Sequence, residues 1–241
     1  FKMLEVYARF AREYLALPVL TGTKTESEKF PGAVDTYCIE AMMQDKKALQ
    51  SGTSHFLGQN FAKASQIKFQ SRKGEVEYAW TTSWGVSTRL IGALIMAHSN
   101  DNGLVLPPRI APSHVVIIPI YRSDEEHSQV MEFAERIKQT LKGLKLDDVM
   151  IWTELDDRDL TNSERNWYWV KKGIPLRIEI GPRDIAQNSC MVARRDKEPR
   201  DKTSVAIDAL SAYVVQTLSE MQNNYYQKAL DFRTENTINI D

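Results

Sequence analysis

A proline-rich segment near the middle of the chain separates two different hydrophobic patterns. Residues 103–113 contain Pro107, Pro108 and Pro112, and proline removes a backbone donor and interrupts helices and central strands. Before this segment, short runs typical of strands and hairpins predominate. After it, apolar runs alternate with amphipathic helical ones. We therefore predict two domains, at residues 1–106 and 113–241, joined by a linker at 107–112.

The first half is predicted to be an antiparallel α+β unit. Apolar residues at helical spacing are followed by strand-like runs and by a polar turn, Ser71-Arg72-Lys73-Gly74, that suits a hairpin. The last run is strongly apolar and is predicted to form a helix buried against the sheet. The predicted helices lie at 3–17 and 86–98. The predicted strands lie at 18–23, 33–43 and 48–57, and the predicted hairpin lies at 67–82.

The second half is predicted to be an α/β domain with a mixed sheet, because strands and amphipathic helices alternate along it. The predicted strands lie at 115–120, 149–152, 176–180 and 190–194. The predicted helices lie at 124–144, 162–172 and 203–232. The fold class is thus α+β followed by α/β, with the second half forming a separate domain.

The composition is that of an ordinary globular protein. Because the formal net charge is −1, binding to nucleic acid would require a local basic surface. Cys38 and Cys190 have no CxxC partner and no nearby histidine pair, so we expect neither a disulfide nor a metal site. No apolar run is long enough to span a membrane and the N-terminus does not resemble a signal peptide. A cytoplasmic location is therefore expected.

Two segments carry candidate chemistry. The first is Gln50-Ser51-Gly52-Thr53-Ser54-His55, where small residues on a predicted strand would let a ligand approach the backbone, or would only mark a strand edge or bulge. In the second, 83–92, Arg89 falls in the first turn of a predicted helix. A guanidinium there suits phosphate oxygens, but a surface arginine near a helix cap fits the pattern equally well.

Six stretches of the chain together resemble one family. They are Lys24-Thr25-Glu26-Ser27-Glu28-Lys29-Phe30, Ile39-Glu40-Ala41, residues 48–55, Leu57-Gly58-Gln59-Asn60-Phe61, residues 83–89 and Gly103-Leu104-Val105-Leu106-Pro107-Pro108. They resemble the class II aminoacyl-tRNA synthetases, and in particular the prolyl-tRNA synthetases of the type also found in archaea and eukaryotes. The segment around Gly85 and Arg89 resembles the third class-defining motif.

The resemblance implies a site for ATP and L-proline. Arg89 would be the catalytic residue and would hold the γ-phosphate of ATP, with Mg²⁺ as the accompanying ion. The implied nucleotide site consists of Gln50, Thr53, Ser87 and Arg89. The implied proline pocket consists of Phe30, His55, Ser83 and Gly85. Proline would be activated as an adenylate and transferred to tRNA(Pro) by an enzyme that is a homodimer at full length.

The run from Lys172 to Asp184 resembles the anticodon-binding domain of the same family. The resemblance implies anticodon contacts from Lys172, Arg177 and Arg183, and Arg194-Arg195 could add phosphate contacts. Alternatively, Arg177 and Glu179 form a surface pair. Relatives often have Trp-Glu-Leu-Lys-Gly where this chain has Trp169-Val170-Lys171-Lys172-Gly173.

Three neighbouring aromatic residues, Trp167, Tyr168 and Trp169, could stack on unpaired bases. We expect at least two of them to pack in the core instead.

The family's first and second class motifs are not found in this chain. We therefore expect a C-terminal fragment that does not form prolyl-adenylate by itself. Two alternatives stay open: a threonyl- or glycyl-tRNA synthetase, and a non-catalytic paralogue or tRNA-binding module. Threonine enzymes bind zinc through Cys and His, and Cys38 with His55 does not offer a full ligand set.

Overall fold

The structure, a computed structural model, describes residues 1–238 and divides into two compact units. The first contains Phe1–Ala97 together with the end of the chain from Leu230, and the second contains His98–Ala229. The division thus falls before the predicted linker, where Pro108–Ile110 forms a short 3₁₀ helix. The domain bounds inferred from the sequence stay a prediction.

The first unit is built on an antiparallel sheet, as predicted. Its elements are α1 (Lys2–Glu13), β1 (Val19–Thr23), β2 (Asp35–Met42), β3 (Ala48–Gly58), α2 (Asn60–Ala64), β4 (Lys68–Gln70), β5 (Val76–Tyr78), β6 (Thr81–Gly85) and α3 (Arg89–His98). Four strands pair in the order β1-β2-β3-β6, all antiparallel. Strands β4 and β5 form the predicted hairpin.

One prediction for this unit was wrong in detail. The second arm of the predicted hairpin, residues 76–82, is two strands, because the chain leaves the hairpin after Tyr78 and Trp80 stacks on Phe56 with ring centroids 5.9 Å apart. Only then does β6 join the main sheet. Helix α3 forms within the predicted range, with Leu90 buried and Ile91 on another face 61% exposed.

The second unit contains the predicted mixed sheet. Its elements are β7 (Val115–Pro119), α4 (Asp124–Leu141), β8 (Lys145–Leu146), β9 (Val149–Met150), β10 (Thr153–Leu155), α5 (Asn162–Lys172), β11 (Leu176–Ile180), α6 (Pro182–Ala186), β12 (Ser189–Arg194), β13 (Lys202–Ala206) and most of α7 (Ile207–Glu235), whose residues from Leu230 onward are assigned to the first unit. The strand order is β10-β7-β11-β12-β13. Strands β10, β7 and β11 pair in parallel, β12 pairs antiparallel with β11, and β13 pairs antiparallel with β12.

Helix α5 begins and ends where the sequence predicted because both ends carry strong signals. The Thr161 hydroxyl accepts from the Glu164 amide in a capping box, and Gly173 ends the helix in the left-handed conformation.

The last helix begins later than predicted, at Ile207, because Lys202–Ala206 forms an edge strand against β12. No helix among residues 1–238 is long and apolar enough to cross a membrane.

Candidate functional site

The register of the first unit's sheet places several predicted site residues on one face. Thr36 lies opposite His55, which in turn lies opposite Ser83. Thr53 lies opposite Gly85, and this pair is two residues along each strand from the pair of His55 and Ser83. Directly opposed residues of antiparallel strands project to the same side of a sheet, as do residues two apart. We call the side defined by Thr36, Thr53, His55, Ser83 and Gly85 the site face.

The other side of the sheet packs against helix α1. A Cβ atom on Gly52 would lie 3.4 Å from side-chain atoms of Tyr7, Ile39 and Val86, and Tyr7 and Ile39 are buried. A side chain at position 52 would thus point into the contact between the sheet and α1. By contrast, Ser83 is exposed and Thr53 is half-buried. The site face is therefore open to a ligand at Ser83 and Gly85.

A β-bulge lies in the strand that carries the candidate nucleotide residues. Ile39 pairs with Gly52 but Glu40 pairs with Gln50, so that Ser51 is the extra residue. The Ser51 hydroxyl is buried and donates to the Leu49 carbonyl at 3.0 Å. The bulge and the ligand-binding interpretation are thus compatible, since a bulge at a site changes where backbone groups point.

The side chain of Arg89 forms a hydrogen bond to this strand. Its Nη1 atom donates to the Gln50 carbonyl oxygen at 3.3 Å, and its backbone amide donates to the Ser87 hydroxyl at 3.3 Å. The structure therefore brings Gln50, Ser87 and Arg89 together, with Thr53 further along the same strand. Arg89 is exposed, and it lies in the first turn of α3 as the sequence predicted. An exposed guanidinium carries no large desolvation cost and can exchange a carbonyl partner for phosphate.

Aromatic rings surround the predicted amino-acid pocket. The rings of Phe30 and His55 have centroids 4.9 Å apart, and Phe61 stacks on Phe30 at 6.1 Å. Burial lowers the pKa of His55, so its ring is neutral near pH 7. Sequence reasoning had assigned no role to Phe61. The arrangement offers a neutral and largely apolar wall.

A cluster of three charged side chains lies beside the site face. The Lys24 ammonium contacts Glu40 Oε1 at 3.3 Å and Glu28 Oε2 at 3.4 Å. Burial and the neighbouring Glu40 carboxylate raise the pKa of the Cys38 thiol, so the free thiol is protonated near pH 7. Within residues 1–238, no three His, Cys, Asp or Glu side chains are grouped so as to hold a metal ion.

Arg177 in the second unit does not lie at the surface. It is 1% exposed, its Nε donates to Asn166 Oδ1 at 3.2 Å and its Nη2 donates to the Pro199 carbonyl at 3.3 Å. Burial lowers its pKa to about 10. A direct contact with an anticodon base is therefore not available to it in this structure. The alternative surface pair is also wrong, because Glu179 is buried and pairs with Lys202 at 2.6 Å.

The proposed phosphate contacts of Arg194 and Arg195 are also corrected. Arg195 is 4% exposed, and its Nε donates to the carbonyls of Leu104 and Val170 at 2.9 and 3.1 Å. Arg194 forms a two-pronged bond with the carboxylate of Asp196 at 2.9 and 2.8 Å. Both guanidinium groups are thus engaged within the second unit.

Lys172 and Arg183 are exposed at the end of α5 and the start of α6. The Arg158 guanidinium lies 3.9 Å from the centroid of the Tyr168 ring, and Lys172 Nζ lies 5.5 Å from it. We call Arg158, Tyr168 and Lys172 the aromatic–cation patch. Sequence reasoning missed Arg158 because a contact between a loop and a helix leaves no local pattern.

Only one of the three neighbouring aromatic residues packs in the core, which corrects the expectation of two. Trp169 packs against Val116 and Ile174, and its indole N–H donates to Asp156 at 2.7 Å. Trp167 and Tyr168 are 45% and 38% exposed. These two rings are available to stack on another molecule.

Comparison with known proteins gives consistent matches over the whole chain. A family model described as an anticodon binding domain matches residues 114–217. The proline–tRNA ligase of Bdellovibrio bacteriovorus is 55% identical over 97% of this chain and 47% of its own length. The proline–tRNA ligase of Rhodopirellula baltica is 52% identical over 99% of this chain and 47% of its own length.

The fold matches a solved structure as well. The crystal structure of prolyl-tRNA synthetase from Cryptosporidium parvum complexed with L-proline and AMP superposes with a TM-score of 0.86 and 39% identity. The match covers 99% of this chain and 50% of that one. The chain thus spans about half the length of the relatives that it matches.

Proposed function

Since this chain belongs to the prolyl-tRNA synthetase family, we propose that its first unit forms part of a site for ATP and L-proline. Its second unit would bind the anticodon region of tRNA(Pro). The proposed activity of the complete enzyme is the ATP-dependent joining of proline to this tRNA. The contact between Arg89 and the Gln50 carbonyl, beside the site face, is the observation that carries the proposal.

In the proposed reaction, a carboxylate oxygen of proline attacks the α-phosphorus of ATP. The bond from that phosphorus to pyrophosphate breaks, and the prolyl group then passes from AMP to the 3′ end of the tRNA. Arg89 would hold the γ-phosphate with its forked guanidinium. Mg²⁺ would arrive with the nucleotide, since it prefers phosphate oxygens, and would neutralise their charge.

The amino acid would lie against the rings of Phe30, Phe61 and His55. A saturated pyrrolidine ring offers few polar groups, so a neutral aromatic wall suits it better than a charged one. Ser83 and Gly85 on the site face would complete the pocket. Selectivity over a smaller side chain would rest on shape, which contributes about 1–3 kcal/mol per methylene group.

The test of this proposal is calorimetric binding of non-hydrolysable aminoacyl-adenylate analogues to the chain. We expect the prolyl analogue to bind at least about tenfold more tightly than the alanyl analogue. Tighter binding of a threonyl or glycyl analogue would assign a different amino acid. Binding of tRNA without any analogue would favour a non-catalytic RNA-binding protein.

That the chain alone does not form prolyl-adenylate stays a prediction, and proline-dependent ATP–pyrophosphate exchange tests it.

For the second unit, we propose that Lys172 and Arg183 contact the anticodon loop. Unpaired bases are recognised by stacking and by hydrogen bonds to their edges, and Tyr168 offers an exposed ring whose neighbour Arg158 is paired with Asp156. The match of residues 114–217 to an anticodon binding domain supports this assignment. Arg177 would act only from the interior, by supporting Asn166.

Replacing Arg183 with alanine should weaken binding of the tRNA(Pro) anticodon stem-loop by about tenfold and reduce the salt dependence by about one charge. Filter binding at several salt concentrations measures both. Lys142→Ala, which removes an exposed charge at the end of α4, is the control and should change neither. Equal losses in the two variants would mean that only net charge matters.

We also propose that the complete enzyme is a homodimer in the cytoplasm. Sedimentation of the natural protein and its distribution on cell fractionation test these two points. A monomer, or a protein that sediments with membranes, would contradict them.

A further inference from the structure

Thr36 lies at the buried end of the site face, between two residues of the proposed proline pocket. It is in strand β2, is 2% exposed, and faces His55 directly across the β2–β3 pairing. The loop before β2 carries Phe30. Sequence reasoning gave Thr36 no role, because a single threonine in a strand is more often a packing residue.

The hydroxyl of Thr36 contacts both pocket residues. Its Oγ1 atom accepts a hydrogen bond from the backbone amide of Phe30 at 3.1 Å. The same oxygen lies 2.9 Å from Nδ1 of His55. One buried oxygen atom therefore joins the loop that carries Phe30 to the strand that carries His55.

The chemistry of the three groups decides which nitrogen of His55 carries the proton. The amide of Phe30 can only donate, so the Thr36 oxygen accepts from it. If Nδ1 also donated, the hydroxyl hydrogen of Thr36 would be buried without an acceptor, since no other acceptor among residues 1–238 contacts it. Leaving a buried donor unpaired costs free energy comparable to a lost hydrogen bond. The hydroxyl therefore donates to Nδ1, and the proton of the neutral ring is on Nε2.

We propose that Thr36 is a positioning residue for amino-acid binding, which fixes the Phe30 loop and holds His55 in the tautomer protonated at Nε2. This inference rests on the proposed function for its ligand but not for its geometry. Burial lowers the pKa of His55, and the neutral ring that results is the form that can accept the Thr36 hydroxyl at Nδ1.

The consequence is a pocket whose two aromatic walls are held in a fixed relation. The ring of Phe30 lies 4.9 Å from that of His55, and both depend on the same hydroxyl. Nε2 of His55 has no partner among residues 1–238, so its N–H is free to donate to an oxygen atom of the bound amino acid. Ordering both walls before binding reduces the entropy that the ligand must offset.

The first test needs no variant and no ligand. In a nitrogen-15 NMR spectrum of the unmodified chain at pH 7.5, we expect Nδ1 of His55 to have the shift of an unprotonated ring nitrogen and Nε2 that of a protonated one. A spectrum with the proton on Nδ1 would overturn the proposal, even if the chain binds prolyl-adenylate as expected.

The second test compares variants that keep or remove the hydroxyl. Thr36→Val keeps the shape of the side chain and should weaken binding of the prolyl-adenylate analogue by about tenfold or more. Thr36→Ser keeps the hydroxyl and should restore most of the affinity. Thr82→Val makes the same change at an exposed position of β6 on the opposite side of the sheet and should have no effect.

Binding of ATP alone separates positioning from general damage. It should be unchanged in Thr36→Val, because the Arg89 contact with Gln50 does not involve Thr36. Equal losses for ATP and the prolyl analogue would overturn the proposal in favour of a purely structural role. Failure of the unmodified chain to bind the prolyl analogue would instead reject the proposed amino-acid site. The NMR result would still decide the tautomer.

Discussion

Replacing Arg89 with alanine should weaken ATP binding by about 100-fold, because a charge-assisted bond to phosphate is lost while the fold is retained. Arg89 is exposed, and the only protein partner of its guanidinium within residues 1–238 is the Gln50 carbonyl. Its removal therefore leaves no buried charge unpaired. Calorimetric titration with ATP and Mg²⁺ measures the loss, and thermal unfolding should show little change.

Two further substitutions make this result specific. Arg89→Lys keeps the charge but not the forked geometry, so it should recover only part of the affinity. Arg72→Ala removes an exposed arginine from the turn between β4 and β5 and should leave ATP binding unchanged. An Arg89→Ala variant that binds ATP like the unmodified chain would remove Arg89 from the site.

Replacing Gly103 with alanine should destabilise the second unit by about 3 kcal/mol or more. Gly103 has φ +122°, and a Cβ atom there would lie 2.6 Å from Cα of Lys171. The obstacle is backbone, which cannot rotate away. Two other residues pack closely against the same segment. Arg195 donates a hydrogen bond to the Leu104 carbonyl, and a Cβ atom on Gly173 would lie 2.8 Å from that carbonyl oxygen. Hydrogen exchange of the amides in α5 measures the change.

Gly143→Ala is the matched control. Gly143 has φ +83° but nothing lies within 4 Å of its Cβ position, so only backbone strain of about 1 kcal/mol is expected. The difference between the two variants then measures the close packing of residue 103 against α5. Equal and small losses would mean that the chain can move apart there without cost.

The fold was predictable where local signals agree with tertiary packing. The capping box at Thr161 and the left-handed Gly173 defined α5, a continuous apolar run defined β7, and alternating apolar residues defined β11. Local signals failed where pairing decides the structure. The edge strand Lys202–Ala206 owes its state to β12, and residues 76–82 divide because the chain leaves one sheet and enters another.

The candidate site was predictable in part for the same reason. The small residues at 50–55, the place of Arg89 at a helix start and the family resemblance pointed to His55, Ser83 and Arg89, which the register and the Arg89 bond bring to one region. A single sequence gives no information on burial, so Arg177 was expected at the surface and Thr36 was overlooked. Both depend on partners far away in the sequence, Pro199 and His55.

The central claim is that the site face and Arg89 together hold the triphosphate of ATP. A crystal structure of this chain soaked with a non-hydrolysable ATP analogue and Mg²⁺ tests it most directly. We predict γ-phosphate oxygens within hydrogen-bond distance of the Arg89 guanidinium, with the nucleotide lying along β3 between Gln50 and Thr53. A nucleotide bound on the α1 side of the sheet, or in the second unit, would contradict the assignment.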